Sequence, residues 1–440
     1  MVTGLDYKLS AILSITFNQV ICSILFVFLA GKYLFKTKVG LFASLLLAFG
    51  NYFINMGLII IPNSIAAVFI LIIIYLFVTI RKNNFLIGTF LIILFMISLI
   101  FTHTISAMAM AIILFVMFIG AHFYKKFINK NVFIPMTFNL VAFFSVAMFS
   151  WWIYVTGHIN TLADIIKVGF SPDFFIHAPK EISMYVTTVP LIEQVLNQIG
   201  TFLFFSLSLI GCLYMISRKY GNISTYVFAL VGITPLVIGF FSLIIGTYVI
   251  PDRWWYFSQI LLTIPLAVSV ILVYNKIHNR FVKPVFLVFL IIGLSSILII
   301  SPAADITNHS LFPNIGIRTT KTESEITSAA FFVEKSTEKL SSDYDYFTNP
   351  SGSLLKNYFN VKPNKIKSLD TVLLSGKFDI NGTIIVIREE IINKPFRLFG
   401  QPFKLNYNPS QKLEEQGFSK IYDCNSVLGF YRININTPGI

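Results

Sequence analysis

The chain has few charged residues. Asp, Glu, Lys and Arg together make up 12% of its 440 residues, whereas hydrophobic residues make up 56%, and the mean hydropathy is +0.77. An ordinary soluble domain carries about 25% charged residues. The scarcity of charge therefore excludes a soluble globular protein and indicates an integral membrane protein.

Cysteine is also scarce. Cys22 and Cys212 lie inside apolar runs and leave Cys424 without a partner. The sequence therefore predicts neither a disulfide framework nor a cysteine-rich metal site. It indicates no metal ligands and no definite cofactor, and the question of a divalent cation is left open.

Basic residues exceed acidic ones, but the excess does not predict a nucleic-acid partner. The formal net charge is +13, yet residues 303–440 carry 16 basic and 14 acidic residues. The 17 basic residues of 1–302 lie almost entirely in short loops between apolar runs. That placement is typical of membrane topology.

Ten apolar runs are each long enough, or nearly so, to cross a bilayer as a helix of about 20 residues. They cover about residues 11–34, 39–56, 64–80, 85–101, 104–122, 132–155, 197–217, 225–249, 254–274 and 284–302. We therefore predict a polytopic α-helical membrane domain of about ten transmembrane helices over residues 1–302. A small extracytoplasmic α/β domain is predicted over residues 303–440.

Residues 303–440 alternate helical and β-rich patterns. The patterns predict helices at 323–340 and 411–416, strands at 344–347 and 382–387, and a hairpin of 420–423 with 427–433. The stretch has no Gly-rich phosphate loop, no paired metal ligands and no nucleophile elbow. These absences favour a role in interaction or substrate shaping over catalysis.

Charge divides the loops of 1–302 into two sets. Alternate loops hold 13 basic residues and no acidic ones: Lys32, Lys36, Lys38, Arg81, Lys82, Lys125, Lys126, Lys130, Arg218, Lys219, Lys276, Arg280 and Lys283. The opposite loops hold all six acids of this region. By the positive-inside rule the first set is cytoplasmic, so both chain ends are predicted to be extracytoplasmic.

All four tryptophans fall at predicted outer ends of spans. They are Trp151, Trp152, Trp254 and Trp255. This position is typical of an aromatic belt at the membrane interface.

The stretch from Tyr248 to Gln259 places Asp252 and Arg253 side by side between two apolar runs. An unpaired guanidinium at the edge of the hydrocarbon is costly unless it meets water, a carboxylate or a phosphate. Arg253 is therefore a candidate to bind a donor phosphate in a bidentate manner. In the alternative interpretation, Asp252 caps a helix and Arg253 extends toward lipid headgroups.

Four carboxylates are candidate catalytic residues. Asp6, Asp164, Asp173 and Asp252 all fall on the predicted outer side. Any of them could act as general base toward an acceptor hydroxyl.

Histidines add two further candidate regions. His103 lies at the predicted outer turn between spans four and five and is either a second phosphate-binding residue or a hydrogen-bonded turn residue. The long outer loop of about residues 156–196 carries His158, His177 and Lys180. Its length predicts a lid or an acceptor-binding loop.

Several stretches resemble a known class of membrane protein. Lys38 to Gly50, the turn ending Ile61-Pro-Asn-Ser64, the Thr102-His-Thr104 turn and the Asp252-Arg253 turn resemble the GT-C class of membrane glycosyltransferases. The class includes protein-mannosyltransferase-like and lipid A aminoarabinose-transferase-like branches, and the trailing α/β domain is similar to archaeal members. The resemblance implies a polyprenyl-phosphate-linked sugar donor, and a glycan, lipid or protein acceptor at the outer membrane face.

The chain departs from that class at its N-terminus. Members carry an earlier membrane helix and a large first outer loop with a catalytic acidic residue, whereas Met1 to Lys8 is similar only to the end of such a loop. The resemblance therefore predicts a missing N-terminal part unless Asp6 takes that role.

Three hypotheses stay open. The first is a glycosyltransferase of the cell membrane, and the second is a non-catalytic (truncated or inactive) membrane scaffold. The third is a transporter of lipid-linked saccharide, which the lack of an ionisable residue placed deep in a span disfavours.

Overall fold

A computed structural model describes residues 4, 7–59, 61–160, 186–187, 191–245, 251–301, 303–304, 321–343, 346, 365–380, 382–398 and 401–432. The chain divides into two compact units. The first comprises Met1–Phe174 and Gln198–Ala304, and the second comprises Phe175–Asn197 and Asp305–Ile440. The sequence had assigned residues 175–197 to the membrane part, whereas the strand at Val186–Thr187 pairs with Lys404 and Leu405 of the second unit.

The first unit is built of α-helices, which satisfy their own backbone hydrogen bonds inside hydrocarbon. They are α1 (Tyr7–Ala11), α2 (Asn18–Leu34), α3 (Thr37–Ala48), α4 (Asn51–Leu58), α5 (Pro62–Thr79), α6 (Phe85–Thr102), α7 (Thr104–Phe127), α8 (Phe138–Trp151), α9 (Leu191–Ile216, whose first turns belong to the second unit), α10 (Ile223–Ile245), α11 (Pro251–Lys276) and α12 (Val282–Ile300). π-Helical turns precede α2 at Ile12–Phe17 and follow α8 at Trp152–Thr156.

Nine helical segments of the described chain are long and apolar enough to cross a membrane, and α3 with α4, bent by 59° at their junction, is either a tenth, broken span or a re-entrant loop. The predicted polytopic helical class is therefore confirmed. The sequence predicted an unbroken span over 39–56, and that prediction is wrong at Gly50. A Cβ on Gly50 would lie 2.7 Å from Gln259 Oε1, and the same oxygen accepts a 3.0 Å hydrogen bond from the Phe53 N–H.

Helix α11 is the central helix of the first unit. Of its membrane-spanning window 83% is buried, compared with 17% for α12, and it packs against α3, α4 and α10. The structure thus places the N-terminal turn of α11, which carries Arg253, on the most enclosed helix of the bundle.

The prediction of an interfacial tryptophan belt is wrong for three of the four residues. Trp152, Trp254 and Trp255 are buried, and Trp151 is partly exposed. The indole of Trp255 packs on the rings of Tyr52, Phe205 and Phe240. These aromatic contacts fix the start of α11 inside the bundle.

The second unit combines two sheets with short helices. Its helices are α13 (Glu323–Lys335), α14 (Asp370–Ser375), α15 (Glu389–Asn393) and α16 (Pro409–Glu415). Its strands are β1 (Val186–Thr187), β2 (Lys339–Ser342), β3 (Ile366–Ser368), β4 (Thr383–Arg388), β5 (Phe396–Leu398), β6 (Gln401–Leu405), β7 (Ser419–Asp423) and β8 (Val427–Tyr431). One sheet has the order β3-β2-β4-β8-β7, with β2 parallel to β3 and β4, and the other is the antiparallel β1-β6-β5.

The predicted α/β character of this unit is confirmed, and the predicted helix of 323–340 is shorter than expected. The hairpin of β7 and β8 turns at Asn425, whose φ is 65°, and β4 is buried along its whole length. The helix predicted at 323–340 ends at Lys335, and residues 339–341 belong instead to β2 and pair with Thr383–Ile385. The strand predicted at 344–347 lies, except for Tyr346, outside the described residues.

Candidate functional site

Arg253 lies in the first turn of α11 and is half-buried. The helix begins with Pro251, whose missing N–H costs nothing at that position. Arg253 Nη1 lies 3.3 Å from Nε2 of His103. The two residues to which the sequence assigned a phosphate-binding role are therefore neighbours in the structure.

His103 is the single residue between α6 and α7. Its backbone is extended, and it caps α7, with Nδ1 3.2 Å from the Ser106 N–H and 2.8 Å from Ser106 Oγ. The one-residue turn keeps α6 and α7 together and aims the imidazole at α11.

Ser106 joins this turn to a third helix. Its hydroxyl donates a 2.7 Å hydrogen bond to Oδ1 of Asn63, and both side chains are fully buried. Asn63 follows Pro62 in the first turn of α5. The N-termini of α5, α7 and α11 are thereby linked by side-chain contacts.

The electrostatic character of this cluster is positive. A helix N-terminus carries a partial positive charge, so the positive charge of Arg253 in the first turn of a helix interacts unfavourably with the helix dipole. Burial, then the charges of Arg253 and of His158, lower the pKa of His103 to about 4. The imidazole is therefore neutral at pH 7, and the guanidinium carries the charge. Cation and helix N-termini together suit an anionic ligand.

The other predicted site residues fall into two groups. Asp252 lies in the first turn of α11, and His158 is exposed beyond the end of α8. The remaining ones, Asp6, Asp164, Asp173, His177 and Lys180, lie outside the described residues. Within the described part of the chain no group of three metal-ligating side chains occurs.

A buried network of amide side chains lies further along α11 and helps to hold the site in place. The sequence did not predict this network. Gln259 Nε2 donates to Asn51 Oδ1 at 2.8 Å, and Asn51 Nδ2 lies 2.9 Å from Thr201 Oγ1 and 3.4 Å from Ser301 Oγ. Gln259 is six residues beyond Arg253, or about 9 Å along α11. The signal available in the sequence was the presence of amide side chains inside apolar spans, which typically bond between helices.

Comparison with known proteins gives distant structural similarity only. No protein family model matches the sequence, and no curated protein matches it. The chain is similar to the crystal structure of the Archaeoglobus fulgidus oligosaccharyltransferase in the apo form, at 12% identity and a TM-score of 0.47, covering 85% of this chain and 58% of that one. It is also similar to ArnT from Cupriavidus metallidurans bound to undecaprenyl phosphate, at 12% identity and a TM-score of 0.49, covering 98% and 85%.

A third similar structure is the oligosaccharyltransferase AglB from Archaeoglobus fulgidus in complex with an inhibitory peptide and a dolichol-phosphate. The identity is 11%, the TM-score 0.47, and the match covers 96% of this chain and 63% of that one. The chain thus spans less than two thirds of the oligosaccharyltransferase structures. The likeness concerns the fold alone, and no residue role is carried over from these proteins. They belong to the GT-C class that the sequence resembles.

Proposed function

We propose that the protein is a membrane glycosyltransferase that takes a sugar from a polyprenyl-phosphate donor and transfers it to an acceptor at the outer membrane face. Arg253 and His103 bind the donor phosphate. The observation that carries this proposal is the 3.3 Å contact between them at the meeting point of three helix N-termini.

The position of this cluster along the helices supports the proposed side of the membrane. Helix α7 begins after His103 and has Lys125 and Lys126 in its last turn, and α11 carries Arg253 in its first turn and ends at Lys276. Helices of this length extend about 36–39 Å, so the site and the lysine-rich turns lie at opposite ends of the same helices. By the positive-inside rule the site is extracytoplasmic, and we propose the same side for residues 303–440.

An apolar groove that includes Phe101, two residues before His103, suits the lipid part of such a donor. It has a volume of about 450 Å³ and is lined by Ile97, Ile100, Phe101, Trp151 and Tyr154, among others. Phe101 is two residues from His103, so a phosphate at Arg253 would leave an attached isoprenoid chain close to this groove. The lipid would stay in hydrocarbon while its phosphate lies at the aqueous edge.

The proposed reaction needs one bond to form and one to break. An acceptor hydroxyl attacks the anomeric carbon, the bond from that carbon to the phosphate oxygen breaks, and polyprenyl phosphate leaves with the electron pair. Arg253 stabilises the charge that grows on the leaving phosphate. The hydroxyl proton passes to a carboxylate, for which Asp252, Asp6, Asp164 and Asp173 stay the proposed candidates.

Transfer of radiolabelled sugar from polyprenyl phosphate in membranes tests this proposal. Removing one preorganised charged donor typically lowers such a rate by about 10²–10³-fold, so Arg253→Ala should lose transfer by that factor. Arg218→Ala, at the predicted cytoplasmic end, is the matched control and should keep the wild-type rate. Unchanged transfer in Arg253→Ala would remove Arg253 from the site. Wild-type protein that binds the donor and never transfers its sugar would favour the scaffold or the carrier of lipid-linked saccharide.

A further inference from the structure

A cavity lies at the end of the helix bundle opposite to Arg253. It is lined by the last turn of α5 and Ile80, by α7 near its C-terminus, by the first two turns of α10 and by residues 133–136 between α7 and α8. Among the lining side chains only that of Ser224 is polar. The volume is about 80 Å³, whereas one water molecule requires about 10–15 Å³. The cavity therefore has room for part of an apolar ligand.

This end of the bundle carries the basic loops. Helix α5 is followed by Arg81, and α7 has Lys125 in its last turn. Both belong to the loops that hold 13 basic and no acidic residues and that the positive-inside rule assigns to the cytoplasm. Water fits an apolar cavity poorly, because a buried water needs about two to four polar partners. An acyl chain of the surrounding bilayer has no such need, so the lining favours a lipid as the occupant.

Two cations lie at the rim of the cavity. Arg81 directly follows Ile80, which lines the cavity, and Lys125 lies one turn beyond Ala121, which also lines it. Residues four apart share a helix face, with about 5–6 Å between their Cβ atoms. Both cations are exposed, and their loops offer them no carboxylate. A lipid whose chain fills the cavity therefore has its headgroup beside two positive charges.

The start of α10 adds charge of the same sign. Ile223 and Ser224 are its first two residues, and both line the cavity. A helix N-terminus carries a partial positive charge and has N–H groups without an acceptor inside the helix. The Ser224 hydroxyl is a further donor. These groups favour a phosphate over an uncharged headgroup.

We propose that this cavity is a binding site for an anionic glycerophospholipid of the inner leaflet, distinct from the site of Arg253 and His103. One acyl chain enters between α5, α7 and α10, and the headgroup phosphate lies beside Arg81 and Lys125. This inference does not depend on the proposed function, because it uses none of the residues of that site. The bound lipid joins the cytoplasmic ends of three helices and stabilises the bundle.

Removal of the rim charges tests the headgroup. Purified full-length protein in a nonionic detergent is titrated with dioleoyl phosphatidylglycerol, and the rise in unfolding temperature with lipid concentration gives the affinity. We expect the variant with both Arg81→Gln and Lys125→Gln to bind about tenfold or more weakly than the wild type. Arg280→Gln is the matched control and should keep the wild-type affinity. It removes an exposed cation at the same end of the bundle, from the turn between α11 and α12, and neither of these helices lines the cavity.

Filling the cavity tests the acyl chain. Ala121→Leu puts side-chain volume into the cavity and leaves both cations in place, so it should weaken binding of phosphatidylglycerol about tenfold. Val227→Leu, on the α10 side of the cavity, replaces it if that variant does not fold. Glycerol 3-phosphate, which has the charged group and no chain, should not raise the unfolding temperature. Phosphatidylcholine, which has the chains and no net charge, should bind the wild type about as weakly as phosphatidylglycerol binds the rim variant.

Four results would overturn the proposal. The first is wild-type protein without measurable affinity for phosphatidylglycerol, and the second is equal affinity in the wild type and the rim variant. The third is equal affinity in the wild type and the cavity-filling variants. The fourth is an affinity that falls in Arg253→Ala and not in the rim variant, because the anionic lipid would then occupy the donor site. None of these results bears on sugar transfer, so the proposed function is tested separately.

Discussion

The two units of the protein bury polar groups in different ways. Among the described residues of the first unit the buried side-chain hydrogen bonds join neutral groups, as between Gln259 and Asn51 or between Gln19 and Tyr256. In the second unit a fully charged cluster is buried around Arg388, which is 3% exposed. Burying an isolated charge is far more costly than burying a neutral amide. The half-buried Arg253 of the membrane unit, charged and close to the hydrocarbon, differs from these neutral buried groups.

The cluster around Arg388 shows what a structural buried charge requires. The guanidinium contacts Asp343 through both Nε and Nη2, and its Nη1 lies 3.2 Å from Glu390 and 3.5 Å from Glu325. Burial alone would lower the pKa of Arg388, but the charges of these carboxylates raise it above its usual range. The cluster links α13, β4, α15 and the end of β2.

Arg388→Met should have the largest effect on stability. It leaves three carboxylates in one buried site without their cation, and removing one partner of a buried ion pair typically costs about 3–5 kcal/mol. We expect the second unit to unfold or to become sensitive to protease, measured by limited proteolysis of the full-length protein. Lys412→Met, which removes an exposed ion pair with Glu415, should change the digestion pattern little. Equal protease resistance in both variants would contradict the structural role of the cluster.

In the membrane unit, the corresponding test is Gln259→Leu. It removes the acceptor of the Phe53 N–H and the donor to Asn51, both buried. We expect a loss of about 2 kcal/mol, because a buried donor without an acceptor costs about 1–3 kcal/mol. The decrease in thermal unfolding temperature in detergent measures it. A leucine variant as stable as the wild type would show that the bend between α3 and α4 does not depend on these bonds.

A smaller loss is expected for Gly50→Ala. The new methyl group would lie 2.7 Å from Oε1 and 2.8 Å from Cδ of Gln259, so the amide must shift. Overpacking of this kind lowers the free energy of unfolding by about 1–3 kcal/mol. We expect a loss at the lower limit, because the end of the Gln259 side chain is flexible and can move away. Gly293→Ala is the control, because nothing lies within 4 Å of its added Cβ. The two variants should differ in unfolding temperature, and identical values would contradict the close approach at Gly50.

The smallest effect is the pH dependence contributed by His103. Its pKa in the folded protein is about 4, below the value of about 6.5 in an unfolded chain. Its contribution to stability is therefore complete above pH 6.5 and is lost as the pH falls from 6.5 to 4. Unfolding temperatures measured over this range should fall more steeply for the wild type than for His103→Gln. Parallel curves would show that the imidazole is not shielded as described.

The sequence predicted the helical membrane class, the spans and the two phosphate-binding candidates from local pattern. Hydropathy and charge in the loops carry that information because each span and each turn is a local feature. The contact between Arg253 and His103 could not be predicted, since 150 residues separate them and no local signal fixes which turns meet. The contacts of Ser106 with Asn63 and of Gln259 with Asn51 could not be predicted for the same reason.

The errors have a common physical cause. Trp254 and Trp255 stand at the end of a span, which is typical of a lipid interface, but α11 is the most enclosed helix and its end is therefore buried too. The break at Gly50 was not predicted, because an apolar run of that length indicates one continuous helix. In both cases tertiary contacts with α11 decide the outcome.

The most direct test of the central claim is the affinity of the full-length protein for undecaprenyl phosphate. If Arg253 and His103 form a phosphate site, Arg253→Ala should weaken binding by about 10-fold or more, as expected for a charge-assisted contact of about 1.5–3 kcal/mol, and Arg218→Ala should not change it. Equal affinities for the wild type and Arg253→Ala would contradict the account.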